Sequence, residues 1–82
     1  MDDAKKNVGI SDLGLASLLA TLNFELVELK RVDAKRINFL FAHSEGIEKV
    51  ISDYWAGVEV SVPAQSLFFN QKTLKNRLYA FT

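Results

Sequence analysis

The stretch from Phe24 to Tyr54 constrains the fold most, because its hydrophobic period changes partway along. Phe24-Glu25-Leu26-Val27-Glu28-Leu29-Lys30-Arg31 is followed by a polar corner, then Arg36-Ile37-Asn38-Phe39-Leu40-Phe41, then Ser44 to Tyr54. In the middle segment Ile37, Phe39 and Phe41 alternate with Arg36, Asn38 and Leu40, the period of two expected of a strand. In the first segment the alternation is imperfect, with Phe24 and Leu26 on one face and Val27 and Leu29 on the other. Its aromatic and β-branched content still favours a strand over a helix. Val32-Asp33-Ala34-Lys35 is the turn between them, although it lacks the Asn-Gly or Asp-Gly of the tightest hairpins. Ile47, Val50, Ile51, Tyr54 and Trp55 then recur at the helical period, the best amphipathic pattern in the chain. This reads as a β-hairpin feeding an amphipathic helix, with the rest as cladding.

Ahead of the hairpin, Leu15, Leu18, Leu19 and Leu22 share one helical face. Ser11 is expected as the N-cap of that helix, with Asp12 in its first turn. Ala16 and Ala20 leave a smooth side for close approach, and Asn23 ends the helix in the left-handed conformation. Ser44 is expected to cap the second helix, with Glu45 at its first position and Gly57 stopping it. Val58, Val60 and Val62 alternate with Glu59 and Ser61 and predict a third strand. Pro63 opens a last helix with Leu67, Leu74, Leu78 and Phe81 as its core stripe. The predicted order is α-β-β-α-β-α, an α+β fold with a small three-stranded sheet and helices mainly on one face. Residues 1–10 are expected to be a flexible N-terminus, and residues 11–82 a single globular domain.

Composition limits the chemistry. With 82 residues the core is small, and such domains usually need disulfides, a metal or a partner chain. The chain has no cysteine and one histidine, so thiolate sites are excluded, a histidine-built metal site is disfavoured, and oligomerisation remains. Ten basic and ten acidic residues cancel, which removes the global field of a general nucleic-acid binder. The charges are nevertheless segregated: residues 63–82 hold Lys72, Lys75 and Arg77 and no acid, and Lys30, Arg31, Lys35 and Arg36 flank the hairpin corner. The N-terminus carries no apolar signal core, and no stretch is apolar enough to span a bilayer. A cytoplasmic protein without membrane association is the default expectation.

The pattern Ser11-Asp12-Leu13-x-Leu15-Ala16-Ser17-x-Leu19, Phe24-Glu25-Leu26, Phe39-x-Phe41, Tyr54-Trp55-x-Gly57 and Leu74-Lys75-x-Arg77-Leu78-Tyr79 covers most of the chain. It resembles a family of small uncharacterised domains encoded by phages and other mobile elements of bacteria. That family has Gly where this chain has Asn23. The resemblance implies a mobile-element setting and brings no activity, cofactor or catalytic residue.

Candidate constellations are few. His43-Ser44-Glu45 contains a base, a nucleophile and an acid, but adjacent side chains diverge and a triad needs them convergent. A surface histidine at a strand end outweighs that reading by about nine to one. Glu45 and Glu48 suit a helix N-terminus without catalysis, and the four glycines form no phosphate loop. The hairpin cations can track a phosphate backbone, against a two-to-one preference for their simply discouraging edge-to-edge pairing. Phe68, Lys72, Lys75 and Tyr79 form one stripe of the last helix that can stack on bases and hold phosphates. Burial of those aromatics under lysine stems outweighs that by roughly three to one. The surplus of apolar surface is the more informative feature: Val27, Leu29 and Leu40 face away from the helices, and Trp55, Phe69 and Tyr79 add anchors for a partner.

The expected function is therefore a non-enzymatic protein-interaction module that forms a homodimer through the sheet face and serves a mobile element as an accessory or as an inhibitor of a host factor. The first alternative is a nucleic-acid-binding module using Lys30, Arg31, Lys35, Arg36, Lys72 and Lys75. A further alternative is an oligomer that sequesters a small molecule at a subunit junction. No catalytic residue, metal or cofactor is expected.

Overall fold

The computed structural model describes residues 7–81. The elements run β1 (Asn7–Ile10), α1 (Leu13–Thr21), β2 (Leu26–Asp33), β3 (Arg36–Ala42), α2 (Ile47–Ala56) and α3 (Ala64–Phe81). The class is α+β with one three-stranded sheet, in the order β1-β3-β2 and antiparallel throughout. No helix among these residues is long and apolar enough to cross a membrane.

The third strand is not the one the valines predict. Residues 58–62 pair with nothing in the sheet, and β1 takes the place at the edge of β3. Val60 and Val62 are half-buried while Val58, Glu59 and Ser61 are exposed, so their alternation is real. A period of two marks any extended segment with one face packed, and here Val60 and Val62 pack against the core. Conversely, Asn7–Ile10 belongs to the stretch expected to be frayed, yet Val8 registers with Phe41 and Ile10 with Phe39. The remainder of that N-terminal expectation, residues 1–6, lies outside the described residues.

The helix starts also shift. Asp12, not Ser11, caps α1: its Oδ1 accepts from the Leu15 N–H at 2.9 Å. At the other end Asn23 is left-handed, with φ of 72°, and Phe24 N–H donates to Leu19 while Asn23 N–H donates to Ala20. That is a Schellman closure, and Asn serves where Gly is commoner. Ser44 and Glu45 sit in a turn before α2, and the helix is entered through Gly46 at φ of 91° with no side-chain cap. A Cβ would be strained at that angle, so a glycine-made turn does the work expected of Ser44. Gly57 ends α2 as predicted.

The core joins Ile10, Leu29, Phe39 and Phe41 of the sheet to Leu15, Ala16, Leu18 and Leu19 of α1, with Ile47 and Leu74 from the other helices. α1 is the hub on which α2 and α3 both pack. Ala16 is fully buried, which lets α3 approach. A polar relay fixes that approach: Asn70 of α3 donates to Thr21 Oγ1 at 3.0 Å, and Thr21 donates to Ser17 O at 2.7 Å. Tyr54 ties α2 to the start of α1 by donating to Asp12 Oδ1 at 3.1 Å. Gly14 makes room for this, since a Cβ there would lie 2.8 Å from the Tyr54 oxygen.

Candidate nucleic-acid interface

The hairpin positions the first half of the site. β2 leaves its simple alternation at two bulges, between Leu26 and Glu28 and between Arg31 and Asp33. The first inserts Val27, so Leu26 registers with Phe41 and Leu29 with Phe39. Leu29 is therefore a core residue, 7% exposed, and does not face away from the helices. Leu40 is half-buried and Val27 exposed. The apolar sheet face expected to bind a partner through Val27, Leu29 and Leu40 thus loses its central member.

The second bulge precedes a two-residue turn at Ala34 and Lys35, with Asp33 registering with Arg36. Asp33 Oδ1 accepts the Lys35 backbone N–H at 2.9 Å, and Arg31 donates to Ala34 O at 3.3 Å. Asp33 and Arg31 thus hold the turn. Lys30 registers with Asn38, on the alternate face from Leu29 and Phe39. The side chains of Lys35 and Arg36 form no ion pair with any described residue, although Asp33 adjoins them.

The second half of the site is α3. Leu74 is its one fully buried residue, with Leu67, Asn70 and Leu78 half-buried on the same side. The opposite side carries Phe68, Lys72, Lys75 and Tyr79 at spacings of four, three and four residues, a single helical stripe. Phe68 and Tyr79 are each 65% exposed, so the expectation that these aromatics enter the core is overturned. The physical reason is geometric: α3 packs on α1 through the face that carries Leu74, and these rings lie on the other side of the helix. Lys75 holds its Nζ 6.0 Å from the Tyr79 ring centroid, a loose cation–π contact.

The two halves meet. Lys35, Arg36 and Ile37 of the hairpin, Leu78 and Tyr79 of α3, and Ser11 line one open cleft of about 680 Å³. It offers two cations, an aromatic ring, a hydroxyl and an apolar floor. Ser11 is available because Asp12 has taken the capping role. Of the cations proposed from sequence, Lys35 and Arg36 line the cleft and Lys72 and Lys75 extend from it along α3; Lys30 and Arg31 do not line it. Ser11, Ile37 and Leu78 were not singled out as site residues, and no local pattern marks them. They come to line one cleft only when the fold brings the end of α3 near the hairpin tip.

The remaining candidates lie elsewhere. Trp55 is 64% exposed and meets Tyr54 edge-on at 5.0 Å, and Phe69 is 70% exposed on the neighbouring side of α3 from Phe68. His43 is exposed and pairs with Glu48, not Glu45, at 3.1 Å. Among the described residues no three acidic or histidine side chains converge as metal ligands. The perturbed acid is Tyr54: burial first, then the Asp12 hydrogen bond and charge, raise its phenol above the ordinary 10.0. It supports the Asp12 linkage and lies away from the cleft.

Comparison with known proteins identifies the chain by family alone. No curated protein and no solved structure matches it. The sequence profile of a domain of unknown function, DUF5659, matches residues 5–80, and the chain belongs to that family.

Proposed function

We propose that this DUF5659 domain is a non-enzymatic nucleic-acid-binding module, with the hairpin tip and the outer face of α3 as its contact surface. The observation that carries the reading is the shared cleft, which unites Lys35 and Arg36 with Tyr79 although the two stretches lie far apart in sequence. Four of the ten basic residues belong to this surface, Lys35 and Arg36 at the cleft and Lys72 and Lys75 on the outer stripe of α3. A neutral chain can therefore present a basic face, and phosphate contacts act locally through the cations that reach them. The mobile-element setting implied by the sequence resemblance would make such a module an accessory to DNA or RNA transactions.

The test is fluorescence polarisation of labelled DNA and RNA at low and at physiological salt. Micromolar or tighter binding that weakens steeply with salt is expected. Changing Lys35, Arg36 and Lys75 together to Ala should lower the salt slope by roughly 0.7–0.9 for each phosphate contact removed. A flat titration at both salts would reject the reading.

A second reading, a protein-interaction module, is supported by Trp55 and the neighbouring Val58, both more than half exposed at the end of α2. Aromatic side chains of this kind anchor protein partners. It requires a surface away from the cleft, so Trp55→Ala should leave nucleic-acid binding unchanged.

A further inference from the structure

We infer that the cleft and the α3 stripe bind a single strand, with a base stacked on Tyr79, its phosphate held by Lys35 and Arg36, and the strand continuing past Lys75 and Lys72 to Phe68. This deepens the nucleic-acid reading and rests on it.

Three observations select one strand over a duplex. The first is the arrangement of charge. Lys72 and Lys75 lie within the aromatic stripe, and Lys35 and Arg36 adjoin its Tyr79 end. The other flank of α3 carries Phe69 and Thr73, and beside its C-terminal end a smaller cleft combines Arg77 with Glu28, Leu29, Ala80 and Phe81. A helix lying in a major groove has a phosphate backbone on both sides and needs cations on both. Here the positive charge forms one line, and the opposite flank brings an acid close to its only cation.

The second observation is the aromatics themselves. Phe68 and Tyr79 project from the helix with most of their surface in water. Exposed rings gain by covering a base face, and only an unpaired base has its face uncovered. In a duplex these rings would have to pry apart stacked pairs, and their bulk would block the hydrogen-bonding reach that base-edge readout needs. The third is length. Phe68 to Tyr79 spans roughly 16 Å along the helix. That accommodates about 3–5 nucleotides, taking at least 3.4 Å per phosphate. Two rings at the ends with lysines between them match alternating bases and phosphates. The apolar and aromatic character of the contacts predicts tolerance of sequence.

The test compares a labelled dT12 strand with the dT12·dA12 duplex at the same salt, using the whole chain and the Tyr79→Ala and Tyr79→Phe variants. The single strand should bind about tenfold tighter than the duplex or better. Tyr79→Ala should lose roughly tenfold on the single strand, since one stacking contact is removed, while Tyr79→Phe keeps the ring and the affinity. Circular dichroism and the melting temperature are read for both variants, and Phe68→Ala, at a ring 65% exposed, repeats the stacking test at the other end of the stripe. Equal or tighter duplex binding, or an unchanged affinity in Tyr79→Ala, would overturn the single-strand inference while leaving the nucleic-acid reading standing. Binding of neither ligand would overturn both. Thymidine monophosphate is the last arm: competition at the same concentration per nucleotide as dT12 would make the cleft a mononucleotide pocket and overturn the strand path along α3.

Discussion

α1 and α3 lie against each other and use apolar side chains in opposite ways. α1 is nine residues long and buries five of them, including Leu15, Ala16 and Leu19 almost completely. α3 is eighteen residues long and fully buries one, Leu74, while Phe68, Phe69, Tyr79 and Phe81 all keep 43% or more of their surface exposed. The difference is one of position. α1 is enclosed by the sheet on one side and by α2 and α3 on others, whereas α3 is an outer layer with one neighbour along most of its length. An outer helix needs apolar residues only on its inner face; Phe68, Phe69 and Tyr79 lie off that face, and Phe81, expected in the inner stripe, stays 43% exposed because it falls at the helix's last residue. In a chain this small, that much aromatic surface in water is a cost to solubility, which the proposed contact surface would account for.

The largest effect should come from the enclosed side. Phe41 is fully buried beneath α1, and Phe41→Ala should cost about 3–5 kcal/mol. Against a total stability of about 4–12 kcal/mol for a domain of this length, that is enough to unfold much of the population, readable as a collapse of the urea midpoint. A loss below about 1 kcal/mol would mean that the sheet and α1 do not share one core, and the contrast between the two helices would fail.

The pattern that separates α1 from α3 was partly written in the sequence. The leucine stripe of α1, the Ile37–Phe39–Phe41 face and Leu67, Leu74 and Leu78 of the α3 stripe emerge from periodicity, because each set shares one buried face of its element. Periodicity could not show which extended segments pair. Residues 58–62 and Asn7–Ile10 both alternate, and the edge of β3 decides between them. Nor could it place the extra residue at Val27, because a bulge is defined by the partner strand; without it, Leu29 reads as outward when it faces Phe39. The candidate site was legible in halves. The basic corner and the α3 stripe are both visible along the chain, but exposure of the aromatics and the meeting of the halves depend on how α3 crosses α1.

The next effect tests how the enclosed helix is held at its start. Asp12 Oδ1 accepts from both Leu15 N–H and Tyr54 O–H, so Asp12→Ala should cost about 1–3 kcal/mol, more than an N-cap alone. Tyr54→Phe removes only the second bond and should cost about 0.5–1.5 kcal/mol. The pH dependence sharpens the assignment. The folded protein holds the Tyr54 proton more tightly than the unfolded chain does, because its value is raised above 10.0. That contribution is complete below about pH 10 and is lost as pH rises through the raised folded value. Wild type should therefore lose stability on this alkaline limb and Tyr54→Phe should lose less. Identical limbs in the two proteins would show that Tyr54 does not couple α2 to the start of α1.

The smallest effect belongs to the outer helix. Phe69 is the most exposed of the large apolar residues described, and Phe69→Ser removes a ring with 70% of the residue's surface in water. The stability change should fall within about 0.5 kcal/mol, set by helix propensity and not by packing. Placed beside Phe41→Ala, this makes the comparison quantitative: two phenylalanines of one small domain, differing several-fold in what their removal costs. A loss approaching that of Phe41 would contradict an uncovered α3 face. The cause would then be readable from concentration. If the loss grows with protein concentration, a second copy covers Phe69, since association stabilises by mass action only when the partner is present. If it does not, α3 packs inward through a wider face than Leu67, Leu74 and Leu78 provide, and the stripe from Phe68 to Tyr79 would lose its standing as a surface open to a ligand.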